Sequence, residues 1–273
     1  RGLGDVYKRQ RPGKTVRGKR RPPNNWTSMF EGGAWEYDEG LDEYYLHVFA
    51  KKQPDLNMDN PKVREEVKRI MQFWLDMGVD GFREDVITFI SKTEGLPDSH
   101  PWLPAANGYK YYSNGPRVHQ YLMEFKRDVL DCYDCFTVGE SPLTTADIAL
   151  QYVTEGPDQV LDEMIAFSHM EADCFMIDMV QLPFNLVKMK RAFSDWQYKL
   201  AGRGWNALYI ENHDHPRIIS RYGNEAYRNE SGKMLAAMYM LQRGTPFIYQ
   251  GQEIGMLNLR LPDVNMYEDV MTH

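Results

Sequence analysis

Between Asn60 and Gly78 the apolar residues Val63, Val67, Ile70, Phe73, Trp74 and Met77 recur at spacings of three and four, one face of a helix. Asn60 can cap that helix, Pro61 suits its first turn, and Gly78 stops it. A short β-prone run, Val79–Phe82, follows at once. The same alternation repeats downstream. Val118, Leu122, Phe125, Val129 and Leu130 mark a second helix, leading to a strand over 135–139. Helical patterns over 144–153, 186–201 and 229–242 then interleave with strands near 163–168, 207–210 and 246–250. Strands that alternate with amphipathic helices predict a parallel sheet covered by helices. Five such strands can be counted, near 79, 136, 164, 207 and 247.

The flanking regions read differently. Residues 22–58 are rich in Pro, Asn, Gly and aromatics, and only Tyr44–Phe49 alternates well enough for a strand. The stretch 86–114 carries Gly95, Pro97, Pro101, Pro104 and Gly108 and predicts a long loop. Residues 1–21 hold nine Lys or Arg and one Asp, the pattern of a solvated basic tail. The remainder has 23 basic and 38 acidic residues, a net charge of −15 that argues against nucleic acid as a partner. The run Arg1–Gln10 is similar to adapter-derived translation at the ends of metagenomic fragments, which would make these ten residues foreign to the fold; a native tail is the alternative.

No apolar run reaches 18 residues, which argues against a membrane span, and the basic N-terminus does not read as a secretory signal. Cys132, Cys135 and Cys174 are few and odd in number, as reduced thiols of a cytoplasmic protein would be. Cys132-Tyr133-Asp134-Cys135 has redox or zinc spacing but lacks a second pair, and both cysteines are read as partly buried and structural. No calcium-loop pattern is present, so neither metal nor cofactor is expected.

Three of the strands end in acidic words: Gly81-Phe82-Arg83-Glu84-Asp85, Val138-Gly139-Glu140-Ser141 and Glu211-Asn212-His213-Asp214. If those strand ends open onto one face, as in a (β/α) barrel, Asp85, Glu140 and Asp214 converge with Arg83 beside them. Two carboxyl groups are the minimum for cleaving a glycosidic bond: one protonates the leaving oxygen, the other attacks the anomeric carbon or activates water. These words resemble conserved regions of the α-amylase superfamily, glycoside hydrolase family 13, and closely its oligo-1,6-glucosidase and α-glucosidase branch. Gln53-Pro54-Asp55-Leu56-Asn57 is similar to a further family region, where an inserted small domain rejoins the barrel. The resemblance runs from about Pro22 to the C-terminus and labels the five strands as the fourth to eighth of eight. It therefore implies an α/β fold, an incomplete (β/α)8 TIM barrel over 59–273. The C-terminal half of the inserted B domain would fill 22–58, behind the tail 1–21.

The resemblance also implies roles. Asp85 would be the nucleophile, Arg83 its orienting cation, Glu140 the general acid/base, and Asp214 the stabiliser of the transition state. His213 would bond sugar hydroxyls, and Pro216-Arg217 continues the family word, which brings Arg217 to the substrate side. Val86, directly after the nucleophile, accompanies α-1,6 specificity in the family, although an ordinary β-branched strand residue would look the same. Glu84 departs from the usual Met and should face the barrel's outer layer. His215 departs from the usual Gln. The implied substrates are small α-glucosidic oligosaccharides, with no cofactor. Transglycosylation or sucrose isomerisation on the same scaffold, or a non-catalytic barrel, are the alternatives.

Overall fold

A computed structural model describes residues 8–30, 32–103, 105–175 and 180–268; Pro104 and Arg1–Tyr7 lie outside them. The chain forms two compact units, one from residues up to 79 with 88–134, the other from 80–87 with 135–266.

In the first unit β1 (Gln10–Arg11), β5 (Glu43–Leu46) and β4 (Trp35–Asp38) make an antiparallel sheet, beside a hairpin of β2 (Lys14–Val16) and β3 (Lys19–Arg21). Helices α1 (Pro61–Asp76), α2 (Tyr109–Tyr112) and α3 (Val118–Asp128) complete it. The Pro/Asn-rich segment is ordered by side-chain amides rather than by a ladder. Asn24 Oδ1 accepts from Trp26 N (3.0 Å) and Trp35 Nε1 (2.7 Å), and its amide donates to Leu96 O (3.1 Å). Asn107 N donates to Thr27 Oγ1 (2.8 Å), and Trp26 Nε1 donates to Pro97 O (2.8 Å). These bonds group the 86–114 loop with 22–58, which the sequence pattern had separated.

The basic segment is not a free tail. Val16 pairs with Lys19, and the two-residue link Arg17–Gly18 has φ of 52° and 72°, the left-handed pair that a tight hairpin requires. Nor are all of the first ten residues foreign to the fold. Lys8 bridges to Leu56, Gln10 pairs with Tyr45, and Arg9 is 2% exposed. The Arg9 guanidinium bonds Asp55 Oδ1 (3.1 Å) and Asp59 Oδ2 (2.7 Å). Asp55 also takes the buried ammonium of Lys92, whose burial pushes its pKa down, and Tyr121 donates to Asp59. The Gln53–Asn57 word is thus the anchor of a buried ion-pair network.

In the second unit β6 (Gly81–Glu84), β7 (Phe136–Ser141) and β8 (Glu163–Ala166) form a parallel sheet in that order. Helix α4 (Ala146–Val153) lies between the last two, and a small hairpin of β9 (Cys174–Phe175) and β10 (Val180–Gln181) follows. Helix α5 (Leu186–Leu200) leads to β11 (Ala207–Leu208), then α6 (Ile218–Tyr222) and α7 (Arg228–Met240) lead to β12 (Thr245–Pro246), parallel to β11. Phe167, Met170, Leu208, Ile210, Ile218, Ile219, Leu235 and Tyr239 pack into one core there. All five expected strands are present, though β6 starts two residues late and the last two are short.

Two expectations about burial change. Of the α1 stripe, Val63 is buried and Val67 half-buried, but Ile70, Phe73, Trp74 and Met77 are exposed. The amphipathic pattern records which face seeks cover, and that part of it stays largely exposed among the described residues. Cys132 is exposed rather than partly buried, Cys135 is half-buried and Cys174 buried, and none of the three is in a disulfide. No helix among the described residues is long and apolar enough to cross a membrane.

Two predictions follow from buried charge. Removing one member of a buried ion network strands the other, so Asp55→Ala should cost about 3–5 kcal/mol in denaturant unfolding, against well under 1 kcal/mol for exposed Asp98→Ala. Glu84 points away from Arg83, its Oε2 is buried without a partner among the described residues, and burial with the nearby Asp162 raises its pKa to about 7. A raised carboxyl contributes stability below its ordinary pKa that is lost as pH climbs through about 7. Glu84→Met should therefore stabilise the protein increasingly from pH 4.5 to 7 and level off above, by about 1–3 kcal/mol. A pH-independent difference between the unfolding curves would exclude this.

Candidate active site

Strand register builds the site. In the parallel sheet Arg83 pairs with Val138 and Val138 with Glu163, while Glu140 pairs with Ile165. Side chains alternate along a strand, so Arg83, Val138 and Glu163 share a face, and Asp85 and Glu140, two residues further on, continue it at the carboxyl ends. The opposite face explains Gly139. A Cβ there would lie 2.5 Å from Leu161 Cδ1 and 2.9 Å from Ile87 Cγ2, so any side chain would push the strand bearing Glu140 out of place. Just beyond β6 and β7, Val86 and Leu143 adopt left-handed conformations, with φ of 44° and 57°. Such geometry is costly for a β-branched residue and clusters at functional sites.

Arg83 joins the first two words. Its guanidinium is ion-paired through one nitrogen with Asp85 Oδ1 and through the other with Glu140 Oε2. The partners differ in exposure: the Glu140 side chain is 5% exposed and that of Asp85 68%. Burial, above all, raises the Glu140 pKa to about 7. A hydrogen bond with Asp85 and the charges of Asp85 and Asp214 push the same way, against the pull of Arg83. The third word belongs to this electrostatic unit, since Asp214 acts on Glu140. Asp85, Glu140 and Asp214 are thus brought together as the spacing predicted.

The loop that carries Asp214 is fastened from both ends. Asn212 Oδ1 accepts from Asp214 N (2.9 Å), and His213 Nε2 lies 3.5 Å from Asp214 Oδ1, with both side chains about half exposed. Glu211 is buried; its Oε1 accepts from Ile218 N (2.8 Å) and its Oε2 from Arg217 (3.2 Å). Arg217 also donates to Gln250 O (2.8 Å) and lies over the Tyr249 ring at 4.7 Å. Its guanidinium is committed to the loop rather than turned out toward a ligand. Val86 is half-buried beside Asp85.

Sequence reasoning passed over two groups. Glu163 lies on the Arg83 face, 2% exposed, with Thr245 donating to Oε1 and a pKa raised by burial to about 7. Tyr209 is buried in the β11 exit, where its apolar neighbours make it look like an ordinary core residue. Only register could have singled out Glu163, because its partner position on β7 is two residues short of Glu140.

A family model described as the alpha amylase catalytic domain matches residues 4–272. The chain is 51% identical over 266 residues to an oligo-1,6-glucosidase of Parageobacillus thermoglucosidasius, covering 96% of this chain and 46% of that protein. It is 45% identical to a trehalose-6-phosphate hydrolase of Bacillus subtilis, with 91% and 44% covered. The isomaltulose synthase structure from Erwinia rhapontici superposes with a TM-score of 0.90 at 36% identity, over 97% of this chain and 47% of that one. This chain therefore spans about half the length of the curated relatives it matches. With that match across nearly its whole length, and with strand-end carboxylates in the order the fold demands, the chain belongs to the alpha-amylase catalytic domain family.

Proposed function

We propose that the polypeptide carrying this chain is a retaining α-glucosidase acting on short oligosaccharides, with α-1,6 linkages such as isomaltose among its substrates. The observation that carries the reading is that Asp85 and Glu140 share the Arg83 guanidinium, each ion-paired with one of its terminal nitrogens. Retaining enzymes hold their carboxyl groups about 5–5.5 Å apart, whereas inversion needs roughly 6.5–9.5 Å to admit a water between them. Two carboxyl groups bound to the two terminal nitrogens of one guanidinium fit the first class better.

The mechanism assigned to these residues has two steps. Glu140, protonated, gives its proton to the glycosidic oxygen as the Asp85 carboxylate attacks the anomeric carbon. The C–O bond to the leaving sugar breaks and a glycosyl ester on Asp85 forms. Glu140, now ionised, takes a proton from water; the hydroxide oxygen bonds the anomeric carbon and Asp85 leaves. Asp214 offsets the positive charge that develops on the ring in both transition states. His213 bonds the sugar hydroxyls, and Arg217 serves that contact by holding the loop. Residues 22–58 would be the latter half of the inserted domain, with 59–273 supplying barrel strands four to eight. A cytoplasmic place fits three cysteines that form no disulfide. Isomerisation of sucrose would use the same ester with a sugar acceptor in place of water, and the likeness to isomaltulose synthase keeps it as the second reading.

Four outcomes test this. Turnover of p-nitrophenyl α-glucoside and isomaltose by the intact polypeptide should release α-glucose first, by NMR of the fresh product; initial β-glucose would end the retaining assignment. Glu140 acts first as an acid, so kcat/KM should fall as pH rises through about 7. Glu140→Gln should lower kcat on isomaltose by about 10²–10⁴, and less on p-nitrophenyl glucoside, whose leaving group needs little proton assistance. Val86→Thr should lower the isomaltose-to-maltose ratio of kcat/KM by about tenfold, since a methyl in a pocket is worth that much. An unchanged ratio would move linkage choice away from position 86.

A further inference from the structure

Asp214 lies in the loop that leaves β11 and enters α6, and it is held by its backbone more than by its side chain. Its carboxylate is 47% exposed and meets His213 Nε2 at 3.5 Å, on an imidazole that is itself 63% exposed. The place of that carboxylate therefore follows the path of the chain from Ile210 to Ile218. One buried group closes this path. The Glu211 side chain is 1% exposed, and its two oxygens reach the far end of the loop. Oε1 accepts from Ile218 N (2.8 Å) and Oε2 from Arg217 Nη1 (3.2 Å). Between these ends, Asn212 Oδ1 holds Asp214 N at 2.9 Å. Arg217 is anchored in turn to the segment after β12. Its Nη1 donates to Gln250 O (2.8 Å), its backbone N donates to Asn258 Oδ1 (2.7 Å), and its guanidinium covers the Tyr249 ring. Gly251 has φ of 89°, and a Cβ there would stand 3.2 Å from Arg217 Nη2 and 2.2 Å from Met256 Sδ. That segment is thus folded closely around the Arg217 guanidinium.

We propose that Glu211 is a positioning residue: its carboxylate closes the loop on itself and so sets where the Asp214 carboxylate stands. The inference deepens the glycosidase reading and rests on it for its consequence in turnover. A carboxylate offsets charge developing on a sugar ring only if it is already in place when that charge appears. Misplacement by about 1 Å costs up to about 10²-fold in rate. The brace needs a group that accepts on both oxygens. Glutamine has the same shape but one acceptor and one NH2, while the Ile218 N–H and the Arg217 guanidinium are both donors. Whichever way that amide turned, one donor would face another, and either Ile218 or Arg217 would be let go. A buried carboxylate with both partners in place is also costly to disturb from the other side, since losing Arg217 leaves its charge unpaired.

The test uses variants of the intact polypeptide. Glu211→Gln should lower kcat on isomaltose by about 10–10²-fold and change KM by less than about threefold, the mark of a contact made in the transition state. Calorimetry with 1-deoxynojirimycin gives a readout without turnover, because its protonated ring nitrogen carries charge where the transition state does. Its binding should weaken by about tenfold in Glu211→Gln, while neutral glucose binds as before. In an Asp214→Asn background the same substitution should weaken it no further, since the group being placed has lost its charge. Additive losses in the double variant overturn the proposal. Hydrogen–deuterium exchange needs neither turnover nor ligand. Peptides spanning 211–218 should exchange about tenfold faster in Glu211→Gln, with those of β7 and β8 unchanged. Unchanged exchange over 211–218, or an equal rise in β7 and β8, overturns the proposal as well. Should Glu211→Gln not fold, Arg217→Met cuts the brace from its other end and should give the same pattern. A wild-type polypeptide without glycosidase turnover overturns the functional reading instead, and the exchange result still decides the role of Glu211.

Discussion

The arrangement at the strand ends depends on one carboxyl group kept out of water. Glu140 sits almost wholly buried between a guanidinium that favours its charge and two carboxylates that oppose it. Desolvation dominates, and the group is poised near neutrality. That balance is set by the backbone rather than by the groups themselves. The pairing of β6 with β7 puts Arg83 and Asp85 on the Glu140 face, and the missing side chain at Gly139 lets Leu161 and Ile87 close the opposite one. Were the strand displaced by even one methyl group, Glu140 would move toward water and toward the ordinary range of a carboxylic acid. The raised pKa of Glu140 is therefore a property of sheet packing.

Much of this could be read from the chain because the fold alternates two periods. Helices α3, α4, α5 and α7 and their partner strands announced themselves through 3.6-residue spacing broken by short β-branched runs. The acidic words stood where those runs ended. The convergence of Asp85, Glu140 and Asp214 needed only the rule that parallel strands open onto one face. What stayed hidden was set by contacts distant in sequence. Arg9 looked like one cation in a basic run because Asp55 and Asp59, which bury it, lie 46 and 50 residues away. The Arg17–Gly18 turn did carry a local signal, a glycine within a polar link, but high charge masked it. Arg217 reads as a ligand-facing cation until Glu211, Gln250 and Tyr249 are seen to occupy it. The α1 stripe was placed correctly on a helix, yet periodicity cannot tell what will cover it.

The two units also illustrate different ways of ordering polypeptide. The parallel strands and their helices are held by apolar packing around Leu208, Ile210, Ile219 and Tyr239, which tolerates change as long as volume is kept. The region around Trp26 instead relies on Asn24 and Asn107, whose amides bond backbone groups that no ladder satisfies. Such irregular backbone is stable only while each amide keeps its partners, because a buried unsatisfied donor costs more than a made bond returns. Sequence drift in the two regions should therefore follow different rules: conservative volume in one, fixed side-chain identity in the other.

The left-handed turns at Val86 and Leu143 have a further consequence for engineering. Both residues hold a conformation that glycine or asparagine would adopt with far less strain, so a search for heat-tolerant variants would be drawn to these two positions. Yet each turn closely follows a carboxyl of the candidate site, Asp85 in one case and Glu140 in the other, so the backbone there also aims those groups. Relaxing it would gain melting temperature while loosening the geometry at the strand ends. Selection for robustness and selection for the placement of those two carboxyl groups would meet at the same two dihedral angles, pulling in opposite directions.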